Sequence, residues 1–296
     1  MDDNAYRCAI THDVMVDPVI ASDGHTYERT AIESWIKKTA KSPMTQEPLT
    51  SRRLTPNHFV KALIHAYMEK APPDIKAAWS QNRVDVAASR KELDADHLFQ
   101  TGRLAEAAAL GHADAQAKLA MQYYDAKDND MCEKYALQLD DGGNSKGAYI
   151  LGMMYFREWK EDPAFGAVAA EWFKQCAGEF PNAYYMLAAM ESDQDAKEEL
   201  LLKGCRSSDP DCMFQMSVIN YAKQNYRDAR RTFKRVMELD TSKKYDAMFR
   251  LGGMCIQGLG GKTEYVRGQR YVNDAAEAGH PPAVKLRRIN TDHSFH

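Results

Sequence analysis

The chain has 296 residues, room for two domains, with 44% hydrophobic and 27% charged residues, an ordinary globular balance. Its formal net charge of −3 offers no positive excess for nucleic acid or an anionic membrane. No stretch approaches the roughly 20 apolar residues of a membrane span, and the polar, acidic start Met1-Asp2-Asp3-Asn4 reads against a secretory signal. A soluble, intracellular protein with no nucleic-acid or membrane partner is therefore expected.

In chain order, Val19-Ile20-Ala21-Ser22 predicts a short strand and Asp23-Gly24 a tight turn, because both turn residues tolerate positive φ. His25-Thr26-Tyr27 returns as the paired strand. A helix follows from about Glu28 to Thr39, with Ile32, Trp35 and Ile36 on one face. Residues 40–56, with Pro43, Pro48 and Pro56, predict a loop. Asn57 is a candidate N-cap for a last helix that buries Phe59, Val60, Leu63, Ile64 and Tyr67. After Ala71-Pro72-Pro73 turn chemistry thins, and Asp74 to about Ala88 predicts a connecting helix with Ile75, Ala78, Trp79 and Asn82 on one face.

The second half repeats. Blocks anchored at Leu119, Leu151, Leu187, Met216, Leu251 and Leu286 recur at spacings of 32, 36, 29, 35 and 35, each followed by a second amphipathic stretch such as Ala169–Ala177 or Ala229–Val236. A period in the mid-thirties with two helices per unit is the signature of a helical solenoid. The junctions Ala109-Leu110-Gly111-His112-Ala113 and Ala275-Ala276-Glu277-Ala278-Gly279-His280 resemble those of Sel-1-like repeats, relatives of the tetratricopeptide repeat. The units around Met186 and Met216 depart from the pattern. Lys118, Lys146, Lys174, Arg227, Arg230, Arg231 and Lys234 stand out by charge alone and read as solvated helix faces. The division expected is 1–70, a linker over 71–89, and 90–296 as the repeat domain.

Six scattered cysteines without CxxC spacing read as reduced core residues. Residues 1–70 hold one cysteine, Cys8, and four histidines, His12, His25, His58 and His65, too few to hold the two zinc ions of a RING. The residues Cys8-Ala9-Ile10-Thr11, Met15, Asp17-Pro18-Val19, Gly24, Thr26-Tyr27-Glu28-Arg29, Ile32-Glu33, Trp35, Ser42-Pro43-Met44-Thr45, Leu49, Leu54 and Pro56-Asn57 resemble a U-box, the RING-like α+β fold that replaces zinc with polar contacts. Asp17, Glu28, Arg29, Ser42, Thr45 and Asn57 are candidates for that network.

The resemblance implies a ubiquitin ligase without a covalent ubiquitin intermediate. It would recruit a ubiquitin-charged conjugating enzyme and promote transfer to a substrate lysine by positioning alone, so no catalytic residue, metal or cofactor is implied. The family's docking groove maps onto Ile10, Trp35 and Pro43, with His12 at the rim. Gln46 stands where active members carry a basic residue that bridges the conjugating enzyme and ubiquitin, and Ala9 replaces a common proline. These two departures keep a non-catalytic scaffold or adaptor as the alternative. The all-α solenoid would bind a protein substrate or adaptor. Some U-boxes form homodimers, and the sequence leaves that open. The working compartment implied is a eukaryotic cytosol, whether the protein is eukaryotic or an effector of a bacterium or virus.

Overall fold

The computed structural model describes residues 3–292 and divides into two compact units, up to Gln116 and from Ala117. In the first, β1 (Pro18–Ile20) and β2 (Thr26–Glu28) pair antiparallel with Val19 opposite Tyr27, and β3 (Thr55–Pro56) joins the free edge of β1. The Asp23-Gly24 turn forms as read: Gly24 takes φ 79°, and Asp23 Oδ1 accepts from the His25 N–H at 3.0 Å. The β3 pairing, inside the stretch read as loop, is two residues long and carries no period for a sequence to display.

α1 (Arg29–Lys38) buries Ile32 and Ile36, and α2 (His58–Lys70) starts at the Asn57 cap, whose side-chain oxygen accepts from the Val60 N–H at 3.1 Å. The face of α2 differs from the expectation. Ile64 and Met68 are buried, Val60 and Tyr67 are half-buried, and Phe59 is 73% and Leu63 38% exposed. Phe59 and Leu63 each sit one position, about 100° of helix, off the stripe that starts at Val60. α3 (Pro73–Gln100) runs well past Ala88 as one helix, because no breaker occurs before Gly102. Its Ile75 and Trp79 pack on the same core as Cys8, Met15, Val19, Tyr27 and Ile32, while Ala78 is exposed. α4 (Leu104–Ala109) and the start of α5 (Ala113–Ala126) follow, with Gly111 between them at φ 91°.

The second unit is all helix: α6 (Asn129–Asp141), α7 (Lys146–Trp159), α8 (Phe165–Cys176), α9 (Asn182–Met190), α10 (Gln194–Arg206), α11 (Pro210–Ala222), α12 (Tyr226–Glu238), α13 (Lys244–Gln257), α14 (Tyr265–Glu277) and α15 (Pro281–Asp292). From α6 onward each helix packs on the next in sequence, which makes a solenoid. Four residues before each anchor in α7, α9, α11 and α13 stand Gly147, Ala183, Cys212 and Ala247. One residue after it stand Gly152, Ala188, Ser217 and Gly252, and all eight are buried. Small side chains at these places let the paired helix approach closely. The unit around Met216 keeps this register although its residues differ: Met216 is half-buried, Cys212 and Ser217 are closed, and the Ser217 hydroxyl donates to the Met213 carbonyl at 2.7 Å. The last anchor fails. Leu286 is 37% exposed, while Ala283 is buried.

Among the described residues no helix is long and apolar enough to cross a membrane, and no three His, Cys, Asp or Glu side chains are grouped to hold a metal. All six cysteines are free; five are buried and Cys205 is half-buried.

Candidate functional site

The first loop, residues 7–16, is closed by backbone bonds: the Cys8 N–H donates to the Asp13 carbonyl at 2.9 Å and the His12 N–H to the Cys8 carbonyl at 2.8 Å. The turn puts His12 at φ 63° and leaves its side chain exposed. Cys8 is a core residue whose sulfur accepts from the N–H groups of Glu28 (3.2 Å) and Ile10 (3.4 Å), so the thiol is spent on holding the loop. Ile10 is half-buried and packs at the edge of the core, as does Trp35 of α1.

The second loop, residues 40–48, is organised by Ser42, which is fully buried. Its hydroxyl oxygen accepts from the N–H groups of Thr45 (2.9 Å) and Met44 (3.1 Å), and its own N–H donates to the Glu47 carbonyl at 2.8 Å. The Trp35 indole N–H donates to the Lys41 carbonyl at 2.8 Å and ties α1 to this loop. Pro43 is half-buried and Met44 exposed beside it. Gln46 is exposed at φ 62°, and its amide donates to the Pro43 carbonyl at 3.3 Å. Trp35, Pro43 and Gln46 thus meet at one loop, and Ile10 shares the core edge with Trp35.

The polar network is dense. Glu28, 2% exposed, caps α1 and accepts from the N–H groups of Val16 (2.6 Å), Asp17 (3.1 Å) and Arg29 (3.1 Å). Burial and the nearby Asp17 charge raise its carboxyl above the usual range against the pull of those donors. Asp17 accepts from Arg29 Nε at 2.7 Å and lies near Lys61 (3.8 Å) and Arg90 (3.1 Å). Asn57 donates to the Thr26 hydroxyl at 2.9 Å while capping α2, and so joins sheet to helix. Thr45 takes a small part, its hydroxyl accepting from the Glu47 N–H at 3.4 Å.

Three members of this site carry no sequence motif. The Trp79 indole donates to the Met15 carbonyl (3.2 Å), the Asn82 amide to the Val14 carbonyl (2.8 Å), and Arg90 pairs with Asp17, all from α3 and more than sixty positions from their partners. The helix spacing of Trp79 and Asn82 was visible, but not what that face covers. Asn82→Leu should leave the Val14 carbonyl without its partner, cost about 1 kcal/mol and speed hydrogen exchange at the Cys8, His12 and Met15 amides. Unchanged protection there would show that α3 does not brace the loop.

A second cluster joins Asp23, Tyr27 and Ser42. The Tyr27 hydroxyl donates to Asp23 at 2.8 Å, and burial pushes its phenol up to about 12. Burial would raise Asp23, but hydrogen bonds from Ser42, the His25 N–H and Tyr27 hold it below the usual carboxylate range. Asp17 behaves alike: burial opposes ionisation, and Arg29, then Lys61 and Arg90, outweigh it. Folded-state values lowered in this way contribute stability above the ordinary aspartate value of 3.8, lost as pH falls through the folded value. The first unit should therefore lose stability on acidification below about pH 4. Asp17→Asn should make it less stable at pH 7 and flatten that acid slope; an unaltered slope by circular dichroism would contradict the pairing.

The family model described as the U-box domain matches residues 4–72. Residues 4–72 are a U-box domain. Within it the chain is 52% identical over 65 residues to human WD repeat, SAM and U-box domain-containing protein 1, covering 22% of this chain and 14% of that protein. It is 51% identical over 59 residues to U-box domain-containing protein 51 of Arabidopsis thaliana, covering 20% and 7%. The chain thus spans a small fraction of these relatives, and the U-box is what it shares with them. Over the helical part, two solved structures share the fold. One is a protective antigen of uropathogenic Escherichia coli displaying an SLR fold (TM-score 0.52, 19% identity, 75% of this chain, 50% of that one). The other is a Sel1 repeat protein from Oxalobacter formigenes (TM-score 0.51, 15% identity, 65% of this chain, 86% of that one).

Proposed function

We propose that this U-box protein is a ubiquitin ligase. It recruits a ubiquitin-charged conjugating enzyme on its U-box and promotes transfer of ubiquitin to a substrate lysine, while the helical repeats hold the substrate or an adaptor. The observation that carries the reading is the pair of loops at the core edge, each fixed by hydrogen bonds, with Ile10, Trp35 and Pro43 half-buried and thus still free to cover more area. Ile10, Trp35 and Pro43 form the docking groove in this account, and His12 contacts its rim. An apolar patch of this kind suits a small transient interface, below about 1,200 Å² in total. The U-box contributes position and no covalent step. The working place is the cytosol of a eukaryotic cell, where ubiquitin is found. In this reading residues 71–89, which lie almost wholly in the first part of α3, link the U-box to the repeats, and Trp79 and Asn82 of that segment also brace the first loop.

One observation favours the adaptor reading. Gln46, at the place where a basic residue would bridge conjugating enzyme and ubiquitin, is uncharged and turned back on the Pro43 carbonyl. A charge-assisted bond is roughly twice as strong as a neutral one, so basal activity should be weak. Gln46→Arg should raise lysine discharge from a charged conjugating enzyme by about fivefold to tenfold, the scale of about 1 kcal/mol. A variant that still docks the enzyme but discharges no faster would sink the role given to position 46. A native chain that docks no conjugating enzyme would favour the adaptor.

A further inference from the structure

The short spacing between the anchors Leu187 and Met216 has a local cause. α7 runs from Lys146, five positions before its anchor Leu151, to Trp159, eight after it. α9 starts alike at Asn182, five before Leu187, but stops at Met190, three after it. It stops because Asp193 already caps α10, its side chain accepting from the Ala196 N–H at 2.8 Å. The turn that α9 lacks carries core residues elsewhere: Tyr155 and Phe156 in α7, and Cys255 and Ile256 in α13, pack on core clusters. The matching places after α9 hold Glu191 and Ser192, and Glu191 Oε1 is taken up by the N–H groups of Ser192 (2.8 Å) and Asp193 (3.0 Å).

The flanking helices are not shortened with it. α8 and α10 keep 12 and 13 residues, and the groove between them measures about 520 Å³, against about 220 Å³ for the corresponding groove between α12 and α14 beside the longer α13. Its apolar surface is open: Trp159, Ala170, Met190, Ala196 and Leu200 line it, and each is half-buried. The Trp159 ring lies against Gly166 of α8, where a Cβ would sit 2.8 Å from its Cδ1 and Nε1, so any larger residue there would push the ring aside. The charges at the rim cancel. Lys174 and Lys203 stand with Glu191 and Glu199, Lys203 pairs with Glu199 at 2.9 Å, and Lys174 pairs with Glu171 at 3.6 Å.

We propose that the groove between α8 and α10 takes an α-helical segment of a partner protein, which lies where α9 stops short and sets two apolar side chains, one turn apart, against Trp159, Met190 and Leu200. This rests on the reading of the repeats as the partner-binding half, and names the partner's chemistry and its place. The occupant follows from the groove. Its space continues the line of a helix that packs between two others, and the small residues Gly166, Ala170 and Ala196 on its walls let a helix backbone come close. The second unit offers no strand edge among its described residues, so an extended segment has nothing to pair with. The cancelled charge favours neither an acidic nor a basic segment, which leaves apolar contact to carry the affinity.

The test is binding of the full chain to a fluorescein-labelled peptide of about sixteen residues, long enough to hold a helix, followed by anisotropy. The peptide is built of Ala with equal Glu and Lys and carries Phe and Leu four positions apart. The same peptide with Ser at both places is the control, and 8-anilinonaphthalene-1-sulfonate stands for a small apolar ligand. Ala170→Phe and Ala196→Phe fill the groove; checked by thermal melting, each should weaken the peptide at least tenfold. Val168→Ser, on α8 but outside the groove and 40% exposed, should change nothing. The unlabelled peptide should shift tryptophan emission to the blue, and the shift should vanish in Trp159→Phe. No binding of the peptide, equal binding of the Ser control, undiminished binding by both filled variants, or dye binding that these variants lose while the peptide is ignored would each overturn the proposal. No conjugating enzyme enters this measurement. A chain that binds the peptide yet transfers no ubiquitin would count against the ligase reading alone, and one that transfers ubiquitin but ignores the peptide against this proposal alone.

Discussion

Ile10→Ala in the full chain is expected to slow ubiquitin discharge by roughly thirtyfold while the protein stays folded. The reason is where Ile10 sits. It is half-buried at the edge of a core made by Cys8, Met15, Val19, Tyr27 and Ile32, so its inner carbons hold the loop and its outer ones face solvent. Truncating a fully buried Ile costs about 2–5 kcal/mol, and half of that is within what a folded domain tolerates. The loop itself is fixed by backbone and sulfur contacts that need no Ile side chain. Loss of the outer carbons, in contrast, removes a central apolar anchor from a small interface, where one such residue is worth about 2 kcal/mol. Pro43→Ala should behave alike, since Pro43 is half-buried on a loop that Ser42 organises from beneath. Lysine discharge measured beside a melting curve separates the two effects. A folded Ile10→Ala that discharges at the native rate would remove Ile10 from the site.

Gly252→Val is expected to cost about 3 kcal/mol, and to lower the melting temperature of the repeat unit by roughly 6–12 °C. A Cβ at Gly252 would lie 2.9 Å from the Gly268 carbonyl oxygen and 2.8 Å from Val272 Cγ2. The first of these is backbone, so the α13–α14 pair must part to relieve it, and packing along that pair is lost. The adjacent Gly253 supplies the control, because a Cβ there meets nothing within 4 Å. Gly253→Ala should stabilise slightly, by about 0.5–1 kcal/mol, from helix propensity. Equal melting of Gly252→Val and the native chain would mean that α13 and α14 are not in backbone contact.

Much of this was legible in the sequence, for physical reasons that differ by element. The hairpin was legible because Asp23-Gly24 encodes a turn chemically, and the α2 start because Asn57 carries its cap, while Glu28, read as the first residue of α1, proves to be its cap. The solenoid was legible because a buried small residue must recur wherever two helices touch, as at Gly152 and Gly252. What periodicity could not supply was rotation. α2 has apolar residues on more of its circumference than it buries, so Phe59 and Leu63 read as core. Nor could it supply contacts distant in sequence. Arg90 reaches Asp17 across 73 positions. Ile10, Trp35, Pro43 and Gln46 were picked out by resemblance; the docking role proposed for the first three rests on their half-burial, and the bridging position of Gln46 on its exposed place in the second loop.

The most direct test of the central claim is auto-ubiquitination by the full chain with a broad panel of conjugating enzymes. Ladders that appear with some of these enzymes, and vanish with Ile10→Ala and Pro43→Ala, are the result this account predicts. A well-folded chain that gives no ladder with any of them would contradict it, and would leave the repeats as the working half of an adaptor.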